Sequence, residues 1–311
     1  MTVRMSTFSA YERGLSTLQR RQTELASLQE EMTSGKRVAR ASDDPAAAAR
    51  AERALATIAR SEADQRALDA SRNAMQQAES ALGDATGLMQ RIREQTLAAG
   101  NPTYSDAERR SLAQDIRGLR DQLLAVANRG DGAGGYLFGG QGSTQTPFVD
   151  APGGVAYRGD GGALQTATPE PLQLSADGGR TWLQAPDPDT GTPTLSVFNV
   201  LDQLATELET AGRGNDEISE TVRVGVRGLD AAMDHLGAVR AGFGEALNHA
   251  DGFELRLSRE ALAAQAERSA AEDADMVQVV SDFQNQQTGY DAALKAYAMV
   301  QRLSLFDYVS G

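Results

Sequence analysis

The sequence predicts a mainly α chain with a small β insert: paired N- and C-terminal coiled-coil-like helices, a long antiparallel helical rod, and a central β domain. Three observations carry this. Of the 31 glycines, 15 fall between Gly130 and Gly191, and 7 of the 9 prolines fall between Pro147 and Pro193. Both termini carry apolar residues at mostly three- and four-residue spacing, and a longer stripe of that kind runs from residue 216 to residue 270. The boundaries that follow are 1–34 with 271–311 for the terminal pair, 43–130 with 200–270 for the rod, and 131–199 for the β domain.

In the first element Phe8, Tyr11, Leu15, Leu18, Leu25, Leu28 and Met32 form a seam, with Gln22 standing where another apolar residue would fall. The helix is expected to stop at Gly35, which supplies the left-handed residue of a C-terminal cap, with Lys36 and Arg37 at the carbonyl end of its dipole. Ser42, Asp43 and Asp44 offer acceptors for a new helix N-terminus, and Pro45 suits its first turn because it has no amide hydrogen to leave unpaired. Ser105 and Glu108 make a capping box before a helix with Leu112, Ile116, Leu119, Leu123 and Val126 on one face, ending near Gly130. The breaker-rich middle cannot be helix, and "VAYRGDGGALQT", "LQLSADGGRTWLQ" and "TLSVFNV" read as strand fragments around Asp-Gly turns. Beyond it Val222, Val226, Leu229, Met233, Leu236, Phe243, Leu247 and Leu257 share a stripe broken at Arg240, Ala250 and Glu254. That is roughly 80 Å of helix at the α-helical rise. Last come Met276, Val280, Phe283, Gln287, Tyr290, Leu294, Tyr297 and Gln301, then Leu303, Leu305 and Phe306. A lone amphipathic helix cannot bury such a stripe, so the two termini are expected to pair. The same residues suit contacts within one chain or between copies, and both uses stay open.

Composition removes several function classes. The net charge of −13 opposes counterion-release binding to nucleic acid. With no cysteine, there is no disulfide framework, thiolate metal site or thiol nucleophile. The longest apolar runs, such as Leu123 to Ala127, are far shorter than the ~20 residues of a membrane span, so a soluble chain is expected. Residues 1–20 lack the apolar segment of a secretory leader. No enzyme is expected. His235 and His249 lie roughly 21 Å apart along one helix, too far to share a metal. "GGYLFGGQGS" lacks the lysine of a P-loop, and "PDPDTGT" carries its glycine one place early for a calcium loop, with Phe198 at the position that needs Glu. No catalytic residue, cofactor or metal is implied.

"MTSGKRVARASDDPAAAARA", Met32 to Ala51, resembles the N-terminal signature of the bacterial flagellin superfamily, Ser-Gly-Lys/Leu-Arg-Val/Ile, several residues, then Asp-Asp-Pro/Ala. Within it, residues 5–32, "GGYLFGGQGSTQTPF" at 134–148 and "GYDAALKAYAMVQRLSLFDYV" at 289–309 are most similar to the hook-filament junction family of hook-associated proteins. The resemblance implies a flagellar structural protein whose terminal helices form an inner tubular layer. Ser34, Gly35, Arg37, Asp43, Asp44 and Pro45 would then mark the joint between inner and outer layers. Phe8 to Met32 and Val280 to Phe306 would make helix-pairing and polymer contacts. It further implies neighbouring copies, a preceding hook-associated protein, flagellin and a cytoplasmic export chaperone as partners, and an extracellular location reached through the flagellar type III apparatus. A short flagellin is the nearest alternative, and an intracellular helical-rod adaptor or signalling protein is one of another class.

Overall fold

A computed structural model describes the backbone of residues 2–309 and the side chains of residues 12–299. In chain order come α1 (Thr2–Ser34), α2 (Pro45–Ala99), α3 (Asp106–Ala127), β1 (Phe148–Ala151), β2 (Gly154–Tyr157), α4 (Gly178–Leu183), β3 (Ala185–Pro186), β4 (Pro193–Leu195), α5 (Val197–Glu209), α6 (Asn215–Glu272) and α7 (Met276–Val309). The chain is mainly α with a small β insert. It divides into two compact units, residues 1–61 with 259–311, and residues 62–258, with α2 and α6 contributing to each. Among the described residues no helix is long and apolar enough to cross a membrane.

In the unit of residues 62–258, α2 buries Leu68, Met75, Leu82 and Met89, while α6 buries Leu229, Leu236, Phe243, Ala250 and Leu257. Each series advances by seven, the repeat that keeps one face of a helix toward a partner. Ion pairs set the direction: Arg72 reaches Asp251 (2.6 Å) and Glu254 (2.7 Å), Arg240 reaches Glu79 (2.7 Å), and Arg93 reaches Asp230 (2.6 Å). Numbers rise on α2 as they fall on α6, so the helices run antiparallel. Ala250, expected to interrupt the α6 stripe, is fully buried, and Phe253 is buried beside it. A small residue in the seam lowers the apolar signal without breaking the contact.

The α3 helix opens with the Ser105–Glu108 capping box and packs Ile116, Leu119 and Leu123 toward the Leu201, Leu204 and Leu208 face of α5. Two glycines let α5 approach α6: a Cβ at Gly225 would sit 2.8 Å from Leu204 Cδ1, and one at Gly228 3.1 Å from Val200 Cγ1.

The insert is less β than the sequence suggests. β1 and β2 form an antiparallel hairpin pairing Phe148 with Tyr157, and β3 and β4 form a second pair. The stretch "LQLSADGGRTWLQ" yields a helical turn instead of a strand, because the Asp177 side chain accepts from the Arg180 amide and caps α4. "TLSVFNV" divides after Leu195, where Ser196 accepts from the Asn199 amide and starts α5. Trp182 is fully buried, stacked on Phe198 at 5.9 Å and edge-on to Phe138 at 5.4 Å. The buried Arg120 of α3 lies 5.8 Å from the centre of the Phe198 ring and bonds Asp150 of β1 and Asp202 of α5. Burial opposes its charge, but these carboxylates outweigh that and raise its pKa above the ordinary guanidinium value.

Truncating Trp182 to Ala should cost 3–5 kcal/mol in urea unfolding, the scale for a large buried aromatic. Arg120→Ala should cost about 2 kcal/mol, less than for a fully enclosed pair because Asp150 and Asp202 still reach water. Equal, near-zero losses would show that neither anchors the insert.

Candidate functional site

The residues singled out by the joint signature fall between α1 and α2. Gly35 has φ +69° and donates its amide to the Glu31 carbonyl at 2.8 Å, closing α1 in the left-handed conformation that glycine adopts at little cost. Ser34 Oγ accepts from the Lys36 amide at 3.2 Å. Asp43 accepts from the Arg40 amide at 2.8 Å, holding the turn. Asp44 caps α2, accepting from Ala46 (3.1 Å) and Ala47 (2.9 Å), with Pro45 as the first helical residue. The Ala47 amide, against a small opposing desolvation and with help from Arg37, holds the Asp44 carboxyl below its usual value.

A second joint lies between α6 and α7, where Asp275 repeats the same chemistry by accepting from Val277 (3.0 Å) and Gln278 (3.2 Å). The two joints clasp each other. The Arg37 and Val38 amides donate to the Glu272 carbonyl at 2.8 and 3.3 Å, and the Ala274 amide donates to the Gly35 carbonyl at 2.9 Å. Glu272, whose side chain is 12% exposed, takes Lys36 at 3.2 Å and Arg268 at 2.7 Å on one carboxylate oxygen. Arg37 donates to the Ala271 carbonyl at 3.0 Å and pairs with Asp44 at 3.5 Å. The basic pair that follows α1 thus also serves the end of α6, Lys36 through the Glu272 carboxylate and Arg37 through the Ala271 carbonyl, because the chain turns toward it after Gly35. Val38, Ala47, Ala271 and Val279 are buried around the clasp. Arg40 pairs with Glu30 at 3.1 Å within the chain.

From the clasp α1 and α7 run antiparallel. Arg21 donates to Gln286 at 3.2 Å, Gln286 bonds Glu24, and a Cβ at Gly14 would touch the Tyr297 ring at 3.3 Å. Leu18, Leu25, Leu28, Met32, Phe283, Tyr290 and Tyr297 are half-buried. Leu15, Val280 and Leu294 are instead exposed, and α7 turns Val279, Gln286, Gly289 and Ala293 inward beside Phe283, Tyr290 and Tyr297 of the expected stripe. A four-three pattern marks two adjacent faces of one helix, and the smaller residues permit the closer approach. Phe8, Tyr11, Leu303, Leu305 and Phe306 lie outside the described side chains.

The other candidates resolve as ordinary structure. His235 bonds the Arg180 carbonyl at 2.9 Å, and His249 lies 3.8 Å from Glu170. Asp187 accepts from the Asp189 and Thr190 amides in its own turn. Among the described residues no three metal-ligating side chains meet.

Two measurements probe the joint. A carboxyl with a depressed folded pKa stabilises above its unfolded value and loses that effect as pH falls through the folded one, so protection of the Ala46 and Ala47 amides should hold from pH 8 to about 4 and fail only below the ordinary aspartate range. Asp44→Asn should keep the cap without the pH dependence, whereas Asp44→Ala should lose it throughout. At the clasp, Glu272→Gln should speed hydrogen exchange at Arg37, Val38 and Ala274 about tenfold, while Lys36→Met, which leaves Arg268 in place, should change it less.

The bacterial flagellin N-terminal helical region matches residues 5–143. The flagellar hook-associated protein 3 of Salmonella typhimurium is 33% identical over 98% of this chain and 99% of its own length, and that of Escherichia coli is 31% identical over the same shares. Among solved structures, the flagellar hook-associated protein 3 of Legionella pneumophila superposes with a TM-score of 0.64 at 18% identity, covering 69% of this chain and 97% of that one, a likeness of fold. With 31–33% identity to two of its members over nearly its whole length, the chain belongs to the flagellar hook-associated protein 3 family, the structural proteins of the flagellar hook-filament junction.

Proposed function

We propose that this chain is a non-enzymatic adaptor at the hook-filament junction, bound on one side to a preceding hook-associated protein and on the other to flagellin. The observation that carries this reading is end-to-end identity of 31–33% to two hook-associated proteins 3. The geometry supports it: α7 leaves Val277, Val280 and Leu294 exposed outside its pairing with α1, the type of surface that an assembly covers. On this reading residues 1–34 with 271–311 form the inner polymerising layer, 43–130 with 200–270 the helical layer outside it, and 131–199 the outward domain. Ser34, Gly35, Arg37, Asp43, Asp44 and Pro45 form the joint between layers. Neighbouring copies make heterologous contacts, which continue around a tube without closing into a dimer. Export proceeds through the flagellar type III apparatus, with a cytoplasmic chaperone.

A short filament-forming flagellin is the second reading, favoured by the flagellin region matched over residues 5–143. Electron microscopy of a deletion strain separates the two. Loss of an adaptor should leave intact hooks without filaments and release flagellin into the medium. Hooks that still carry filaments would overturn the adaptor reading.

A further inference from the structure

One surface of the unit formed by residues 62–258 stands apart in its charge. Three stretches, residues 132–149, 161–169 and 171–176, contain no Asp, Glu, Lys or Arg in a chain that is 23% charged. They meet at a groove of about 680 Å³ whose other wall is the Ala70, Asn73, Ala74 and Gln77 face of α2. The single charged lining residue, Asp131, accepts from the Ala133 and Gly135 amides and is spent inside its own loop. The groove is nonetheless polar. Asn73 and Gln77 lie one turn apart and make no side-chain hydrogen bond among the described residues, and glycine backbone faces them across the gap. Leu164, 42% exposed, adds an apolar anchor.

Charge determines what such a groove fits. Copies of a chain with net charge −13 repel at close range wherever a contact brings carboxylates together. A partner of opposite charge would be met by a charged patch, since complementary potentials give orientation and specificity. An uncharged, hydrogen-bonding groove serves the remaining case, a partner as acidic as the chain itself. We propose that this groove is a contact between neighbouring copies of the chain, receiving an uncharged surface of the next copy. The inference rests on the assembly role proposed above and adds the place and the partner.

The test uses full-length protein in cells, with Gln77 replaced by a photoactivatable phenylalanine analogue. Irradiated, sheared flagella should give a covalent dimer of this chain as the main adduct. Adding Asn73→Asp and Ala74→Glu should lower the dimer yield about tenfold at unchanged circular dichroism, the effect of placing like charges at a contact. Gln90→Glu, farther along α2 and outside the groove, should leave it unchanged. Adducts only to another protein, no adduct from chain present in sheared flagella, or equal loss with Gln90→Glu would each overturn the contact while leaving the adaptor role standing. Absence of the chain from sheared flagella would overturn both.

Discussion

The clasp between the two interhelical joints is the constraint on which the terminal helices depend. Each joint breaks a helix and so leaves backbone groups without intrahelical partners, and here the groups freed at Gly35 to Val38 are satisfied by those at Glu272 to Ala274. Each hydrogen bond contributes only about 1 kcal/mol net, but leaving such groups buried and unpaired would cost more than forming them gains. The clasp therefore acts chiefly by selection: it admits one register. That register continues along α1 and α7, where Arg21 meets Gln286 and Gly14 meets Tyr297, each step up one helix matched by a step down the other. Lys36 on Glu272 adds a charge condition that a slipped pairing would not meet, whereas the Arg268–Glu272 pair lies within α6 and holds that carboxylate in place.

The unit of residues 62–258 is held differently, by seven-residue seams and by a buried cluster where helices meet insert. Trp182 belongs to a helical turn of the insert and Phe198 to the first turn of α5, so their stacking ties the insert directly to the helical framework. Arg120 adds a second tie, bonding β1 and α5 from α3. The hairpins are too short to be stable alone. The β1–β2 hairpin keeps its shape because Phe148 and Tyr157 lie in the same cluster.

What the sequence made legible follows from how local each signal is. Gly35, Asp44 and Pro45 act within a few residues of themselves, and so does the Ser105–Glu108 box; their chemistry could be read without the fold. The clasp could not, because Glu272 and Arg37 are joined only once the chain has returned, and no periodicity reports that. The inward face of α7 was obscured for another reason. Gly289 and Ala293 promote close approach by being small and Gln286 by hydrogen bonding, so the apolar stripe pointed to the neighbouring face with Val280 and Leu294. The strand reading around Trp182 failed because Asp177, the first residue of the Asp-Gly pair read as a hairpin turn, instead caps a helical turn by accepting from the Arg180 amide.

The acid excess organises what remains. Several arginines are spent within the chain, with Arg72, Arg93, Arg120, Arg129 and Arg240 each paired with a carboxylate of another segment. The unmatched charge is thus negative and faces outward, which keeps separate copies soluble and opposes indiscriminate association. In the assembly proposed above, contacts between copies are then concentrated where carboxylates are sparse. In the terminal helices those places are apolar, and the uncharged groove beside α2 is their polar counterpart. An apolar face gains from burial itself, whereas a polar groove gains only when each amide and carbonyl finds a partner, so the first supplies adhesion and the second supplies register.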